Sequence, residues 1–185
     1  MKRLTTIALM ANLAIASAYA QHPVKMVFSG TGGASPIDLK RQPNANAAEE
    51  NVAGYGTLGQ FSFRDVRATA TAPQPSTACA GLYFPSVSGA GVLRFQDGGL
   101  LKVTLTQGED CLDLAALQAH CVLTFQITGG TGRFKDASGT LTLTETVVPL
   151  LADALNNPVF FTTTGEFTGT VSGVAREPDH QEDRQ

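Results

Sequence analysis

The chain has 185 residues, a formal charge of −3 and 43% hydrophobic residues, which suits one globular domain with a core of its own. Thirteen Lys and Arg stand against sixteen Asp and Glu with no basic cluster, which argues against nucleic acid and against anionic membrane surfaces as partners. After the leader, apolar residues never accumulate to the roughly 20 that a spanning helix requires, so no membrane span is expected.

Lys2 and Arg3 precede an apolar run from about Leu4 to Ile15 that ends in Ala18-Tyr19-Ala20. This pattern predicts a secretory signal peptide over residues 1–20, cleaved after Ala20, and a secreted or periplasmic product. Removing two basic residues takes the formal charge from 13 − 16 = −3 to 11 − 16 = −5. No cysteine follows the cleavage point, so a lipid anchor is not expected.

The domain itself is expected over residues 21–175. Val24 to Gly30 reads as a first strand. Thr31 to Asn51 is polar, holds Pro36 and Pro43 and lacks a strand pattern, so residues 31–51 read as a long loop or arm with room for a short helix around Ala45 to Val52. Thr57 to Ala70 carries Leu58, Phe61, Phe63 and Val66 in a long strand with a bend near Asp65. Pro73 to Ser76 breaks it. Cys79 to Phe84 reads as a strand ended by Pro85, and Gly89 to Gln96 opens the clearest hairpin. Asp97-Gly98 joins it to LLKVTLT, and Asp-Gly between alternating strands favours a type I′ turn.

Leu123, Phe125 and Ile127 recur at period two before Gly129-Gly130-Thr131-Gly132-Arg133-Phe134, and Leu141, Leu143 and Val147 do so after it. Thr140, Thr142, Thr144 and Thr146 form the polar face of the second strand, where β-branched residues suit a pleated surface. A phosphate-binding glycine loop leads from a strand into a helix. Here a strand follows, so Gly129, Gly130 and Gly132 are read as a structural turn, with Phe134 closing the barrel end and Arg133 as a solvated turn residue, an anion contact being the alternative for Arg133. Phe160 to Gly173 supplies the last strand, with Gly165, Gly169 and Gly173 allowing tight curvature. The charged, proline-containing segment 176–185 reads as a disordered tail.

The run GGTGRF, followed by A-x-G and an alternating strand ending in VVP, resembles the hairpin of plant allene oxide cyclases and, more loosely, the GGTG strand pair of dirigent proteins. The likeness is sharp over about Thr128 to Pro149. It implies an all-β fold, a single antiparallel calycin-like β-barrel of about eight strands, and it admits a homo-oligomer. Without it, seven or eight strands and no long amphipathic helix leave a closed barrel or a sandwich. An outer-membrane barrel is not expected, because threonines face outward and the mature chain has no Trp and only Tyr55 and Tyr83. The core expected from alternation is Leu93, Phe95, Leu101, Val103, Leu105, Leu123, Phe125, Ile127, Leu141, Leu143 and Phe167.

Cys79, Cys111 and Cys121 can oxidise in an exported protein. Cys111 and Cys121 flank one short connection, read as a turn or two of helix, and form the favoured disulfide; pairing of Cys79 with either is the competitor. His120 beside Cys121 points to the opposite face of a strand, which disfavours a catalytic pair. His22, His120 and His180 are too scattered for a metal or catalytic triad. With no Walker loop and no dinucleotide fingerprint either, no cofactor and no metal are expected.

Two acidic residues fall in register with the apolar face: Asp65 in the Phe61, Phe63 series and Glu145 in the Leu141, Leu143, Val147 series. Under strict alternation both point inward, where desolvation raises their pKa and fits them for ligand contact or proton transfer; the competing reading puts each at a barrel mouth or beyond a bulge, hydrated and without a role. The function expected is that of a non-catalytic barrel that binds a small apolar ligand or serves a structural role. The alternative, implied by the resemblance, is an isomerase or cyclase-like enzyme acting on an apolar substrate in the barrel.

Overall fold

The computed structural model describes residues 21–35, 45–154 and 158–175. The expected signal peptide over 1–20 and tail over 176–185 lie outside them. Eight strands follow one another in a closed antiparallel ring: β1 His22–Ala34, β2 Ala45–Gly56, β3 Gly59–Ala70, β4 Leu82–Phe95, β5 Leu100–Asp113, β6 Gln118–Gly130, β7 Ser138–Ala152 and β8 Pro158–Ser172. β8 pairs back onto β1 from Gly33↔Phe160 to His22↔Val171, and this closure removes the exposed edges of an open sheet.

The ring gives the barrel two unlike ends. One carries the β2–β3, β4–β5 and β6–β7 connections, and there a short 3-10 turn, Gly132–Phe134, folds inward as a plug. Phe134 is fully buried in the main core. Gly130 makes room for it, since a Cβ there would lie 2.6 Å from the Phe134 carbonyl oxygen, and Gly132 adopts φ +59°, a left-handed conformation that glycine enters without strain. Arg133 is not the solvated residue expected. Its Nε lies 2.7 Å from Asp97 Oδ2, its Nη2 donates to the Leu58 carbonyl at 2.5 Å, and its guanidinium stacks 4.5 Å from the Phe134 ring centroid. One side chain thereby ties all three connections of the plugged end.

Above the plug the interior is aromatic. Seven phenylalanines form a continuous chain of ring contacts: Phe134 to Phe95, Phe95 to Phe61, Phe61 to Phe167, and from Phe167 to Phe28 and Phe63, with Phe125 against Phe63. Centroid separations of 4.4 to 6.2 Å are those of favourable tilted and edge-to-face pairs. Gly91 on the inner wall supplies the space, since a Cβ there would lie 2.4 Å from Phe63 Cε2. Of the core positions expected from alternation, all are buried except Leu105, which packs half-buried against the cluster.

Several local expectations are corrected. The supposed arm at 31–51 is largely strand: β1 extends to Ala34 and Ala45 begins β2, with residues 36–44 outside the described set. No helix forms at Ala45 to Val52, because β2 finds ladders on both sides, with β1 and with β3. β4 starts at Leu82 rather than Cys79 and runs through Pro85. Pairing with β3 ends at Thr69↔Ser86, so no β3 partner calls for the missing Pro85 N–H. At Asp97-Gly98 only Gly98 has positive φ, and Phe95 N–H bonds the Gly99 carbonyl while Gly98 N–H bonds the Phe95 carbonyl. That is a three-residue hairpin loop with a glycine bulge, not a type I′ turn.

The expected Cys111–Cys121 disulfide is wrong. Cys79 and Cys111 are bonded, and Cys121 is free and buried. The reason is strand parity. β5 continues to Asp113 and β6 starts at Gln118, so the connection is a turn rather than helix, and Asp110 pairs with Cys121 while Cys111 pairs with His120. Cys121 shares the inner face with Asp110, and Cys111 points out of the wall, where Cys79 meets it at a Cα separation of 5.6 Å.

Candidate functional site

At the end opposite the plug the inner wall turns polar. Period two carries β3 from Phe61 and Phe63 to Asp65 and Arg67, β7 from Leu141 and Leu143 to Glu145, and β2 from Val52 to Glu50. Thr163 comes from β8 by the same rule, two positions from Phe161 and four from Phe167. These five are the buried polar residues among those described, each at most 4% exposed. The sheet register places Glu50 opposite Asp65, and Glu145 opposite Cys121 on one side and Gly165 on the other. Strands β2, β3, β7 and β8 thus deliver one polar layer.

Arg67 organises it. Its Nη2 donates to Glu50 Oε1 at 2.6 Å and lies 2.8 Å from Glu145 Oε1, outside hydrogen-bonding alignment with the latter. Its Nη1 is 3.8 Å from Asp65 Oδ2. The Thr163 hydroxyl donates to Glu145 Oε2 at 2.5 Å. One level further out, Thr69 donates to Asp110 Oδ2 at 3.1 Å. The far side of the layer is roofed by Cys121, Val147 and Phe161, with Ala119 packed against them.

Three carboxylates face one guanidinium, so full ionisation would leave 3 − 1 = 2 uncompensated negative charges in a dry layer. Burial raises the Asp65 carboxyl to about 7, with Arg67 opposing and Glu145 reinforcing the shift. Burial likewise drives Glu50 well above the ordinary carboxylate range, and repulsion from Glu145 and Asp65 adds to it. Burial alone would lower Arg67, but its acidic neighbours outweigh that cost and hold the guanidinium protonated. The Cys121 thiol is pushed up, first by burial and then by Asp110, so it is a poor nucleophile. At neutral pH the layer therefore retains protons, and Asp65 is the group poised to exchange one.

Five carboxylate oxygens in and around this layer have no hydrogen-bond partner: Glu50 Oε2, both oxygens of Asp65, Asp110 Oδ1 and Glu145 Oε1. Native interiors leave few such atoms unsatisfied. Among the described residues no set of three or more His, Cys, Asp or Glu is arranged to hold a metal ion. A shallow depression of about 500 Å³ lies elsewhere, on the outer wall among Glu49, Arg64, Val92, Lys102 and Thr128. Asp65 borders it through its main chain, since its side chain is fully buried.

Both acidic residues singled out from the sequence, Asp65 and Glu145, stand in this layer; Gly129, Gly130 and Gly132 lie at the other end, in the plug turn. Arg67, Glu50 and Thr163 escaped the sequence reading. Arg67 was reachable, because it continues the Phe61, Phe63, Asp65 series by one step. Glu50 was hidden in a segment read as loop, and Thr163 in the run Thr162 to Thr164, where alternation gives no signal. No family model matches the chain, and no curated protein matches it.

Proposed function

We propose that this is an exported, non-catalytic barrel that binds a small ligand of largely apolar body at the end opposite the Phe134 plug. The observation that carries this reading is the set of buried, unpartnered carboxylate oxygens on Asp65 and Glu50, which call for a polar complement. The apolar residues Cys121, Val147 and Phe161 beside them suit a ligand's apolar body. The other half of the barrel is packed with its own phenylalanines and offers no comparable need. The Cys79–Cys111 bond suits the oxidising compartment that a secreted or periplasmic protein meets.

Thermal-shift screening of apolar ligands on the wild type and on Glu145→Gln tests the reading, because a ligand that binds only the folded barrel raises its melting temperature. Binding to the wild type that weakens in Glu145→Gln supports it. Absence of any shift across the screen would replace it with a structural role.

A second reading, the isomerase or cyclase implied by the hairpin's resemblance to allene oxide cyclases and dirigent proteins, draws on Asp65. A buried carboxyl raised to about 7, with neither oxygen hydrogen-bonded by a side chain, is suited to general acid or base work. Turnover of a bound ligand, lost in Asp65→Asn, would select it.

A further inference from the structure

The ligand's polar group follows from the balance of donors and acceptors, if the binding reading above holds. Orphaned acceptors outnumber orphaned donors in and around the polar layer: Glu50 Oε2, Asp65 Oδ1 and Oδ2, Asp110 Oδ1 and Glu145 Oε1, the last ion-paired with Arg67 without hydrogen-bond alignment, against Arg67 Nη1 and the Ser86 hydroxyl. Asp65 is 2% exposed and no side chain hydrogen-bonds either of its oxygens, although Arg67 is its neighbour at 3.8 Å; its nearest donors are the backbone amides of Asp65 and Glu50, out of good alignment. The layer already holds protons to avoid an excess of negative charge, and a carboxylate ligand would add to that excess. An alcohol brings one donor. An ammonium group brings three donors and the missing positive charge. A hard metal ion needs six or more oxygens at short range, and the residues described offer no such set.

We propose that Glu50, Asp65 and Glu145 form the recognition site for the ammonium head of an amphiphilic amine, whose apolar body lies toward Ala119, Val147 and Phe161. The chemistry is an exchange of cations. The amine enters as R–NH₃⁺, a carboxyl of the layer gives its proton to the buffer, and the resulting carboxylate pairs with the ammonium, so charge balances on both sides. Arg67 remains the fixed counter-charge that keeps Glu50 and Glu145 in place.

Isothermal titration calorimetry of the mature exported protein with hexylamine, hexanol and hexanoate at pH 7, in two buffers of different ionisation enthalpy, tests the proposal. Hexylamine should saturate at one per chain, at least tenfold tighter than hexanol, with release of a proton to the buffer and no measurable uptake of hexanoate. Asp65→Asn and Glu50→Gln, each first shown to be folded by circular dichroism, should weaken hexylamine at least tenfold while leaving hexanol within about twofold. If hexanol binds as tightly as hexylamine, or if hexylamine binding releases no proton, the amine assignment is overturned and the apolar-ligand reading survives. If none of the three binds the folded protein, both fall, and the orphaned oxygens belong to enclosed water.

Discussion

Arg67 on β3 and Glu145 on β7 meet at 2.8 Å across the full width of the barrel, because their strands stand four apart in a ring of eight. With Glu50 on β2 held by the same nitrogen, this guanidinium joins opposite walls of the barrel. The contact also fixes register. A slip of one residue in β3 or β7 would turn the charged side chain to the outer face and an outer residue inward.

Removing the guanidinium therefore leaves three enclosed carboxylates with no counter-charge. Arg67→Met should cost about 3–5 kcal/mol in urea unfolding at pH 7.5. The cost should shrink at pH 5, where protonated carboxyls need no partner. A loss below about 1 kcal/mol at both pH values would show that the layer is not held by Arg67.

Asp65 sets the sign of the pH dependence. Its folded pKa of about 7 lies above the ordinary 3.8, so the fold prefers the neutral carboxyl. That preference contributes fully below pH 3.8 and is lost as pH rises through about 7, and Glu50, also raised, acts in the same direction. The Tm should fall between pH 5 and pH 8. In Asp65→Asn the fall should be smaller and the Tm at pH 8 higher, by about 2–4 °C per kcal/mol recovered. Parallel Tm profiles for the two proteins would contradict the assignment.

The Cys79–Cys111 bond closes a loop with a sequence separation of 32. The chain-entropy model gives it about 4 kcal/mol, so the Cys79→Ser, Cys111→Ser double variant should unfold at markedly lower denaturant. Non-reducing peptide mapping should link the Cys79 and Cys111 peptides. Cys121 should resist alkylation until the protein unfolds, and rapid labelling of the native protein would count against its burial.

The two ends should respond differently to substitution. Phe134→Ala empties the plug and should cost about 3–5 kcal/mol. Gly91→Ala forces the Phe63 ring to move and should cost about 1–3 kcal/mol. If the binding site lies at the far end, Phe134→Ala should leave hexylamine affinity, measured on the folded fraction, unchanged. An equal loss of affinity and stability would place the site at the plug instead.

Much of the barrel was legible because alternation is a local signal. Phe61, Phe63, Leu123, Phe125, Leu141 and Leu143 each declare a buried face within a few residues, and glycine at 129, 130 and 132 declares a turn. β2 was illegible for the opposite reason. Its inner positions Ala48, Glu50 and Gly54 carry no apolar alternation, and it becomes a strand through ladders supplied by β1 and β3. Pro85 misled for a similar cause: whether a missing N–H matters depends on the neighbour it faces, and β3 has ended there.

The sequence by itself determined that Asp65 and Glu145 share the register of the apolar faces, since a side chain's face follows its parity within its own strand, and the unbulged ladders of β3 and β7 at these positions turned that register into burial. It could not decide what they face. That Arg67 reaches Glu145, that Glu50 joins them, and that Cys111 finds Cys79 rather than Cys121 all depend on ring closure and on register between strands distant in the chain. Those are properties of the assembled sheet, set by where each ladder stops and which turns shift it. The charge of the polar layer exists only once closure brings the carboxylates of three strands to one level, out of bulk solvent.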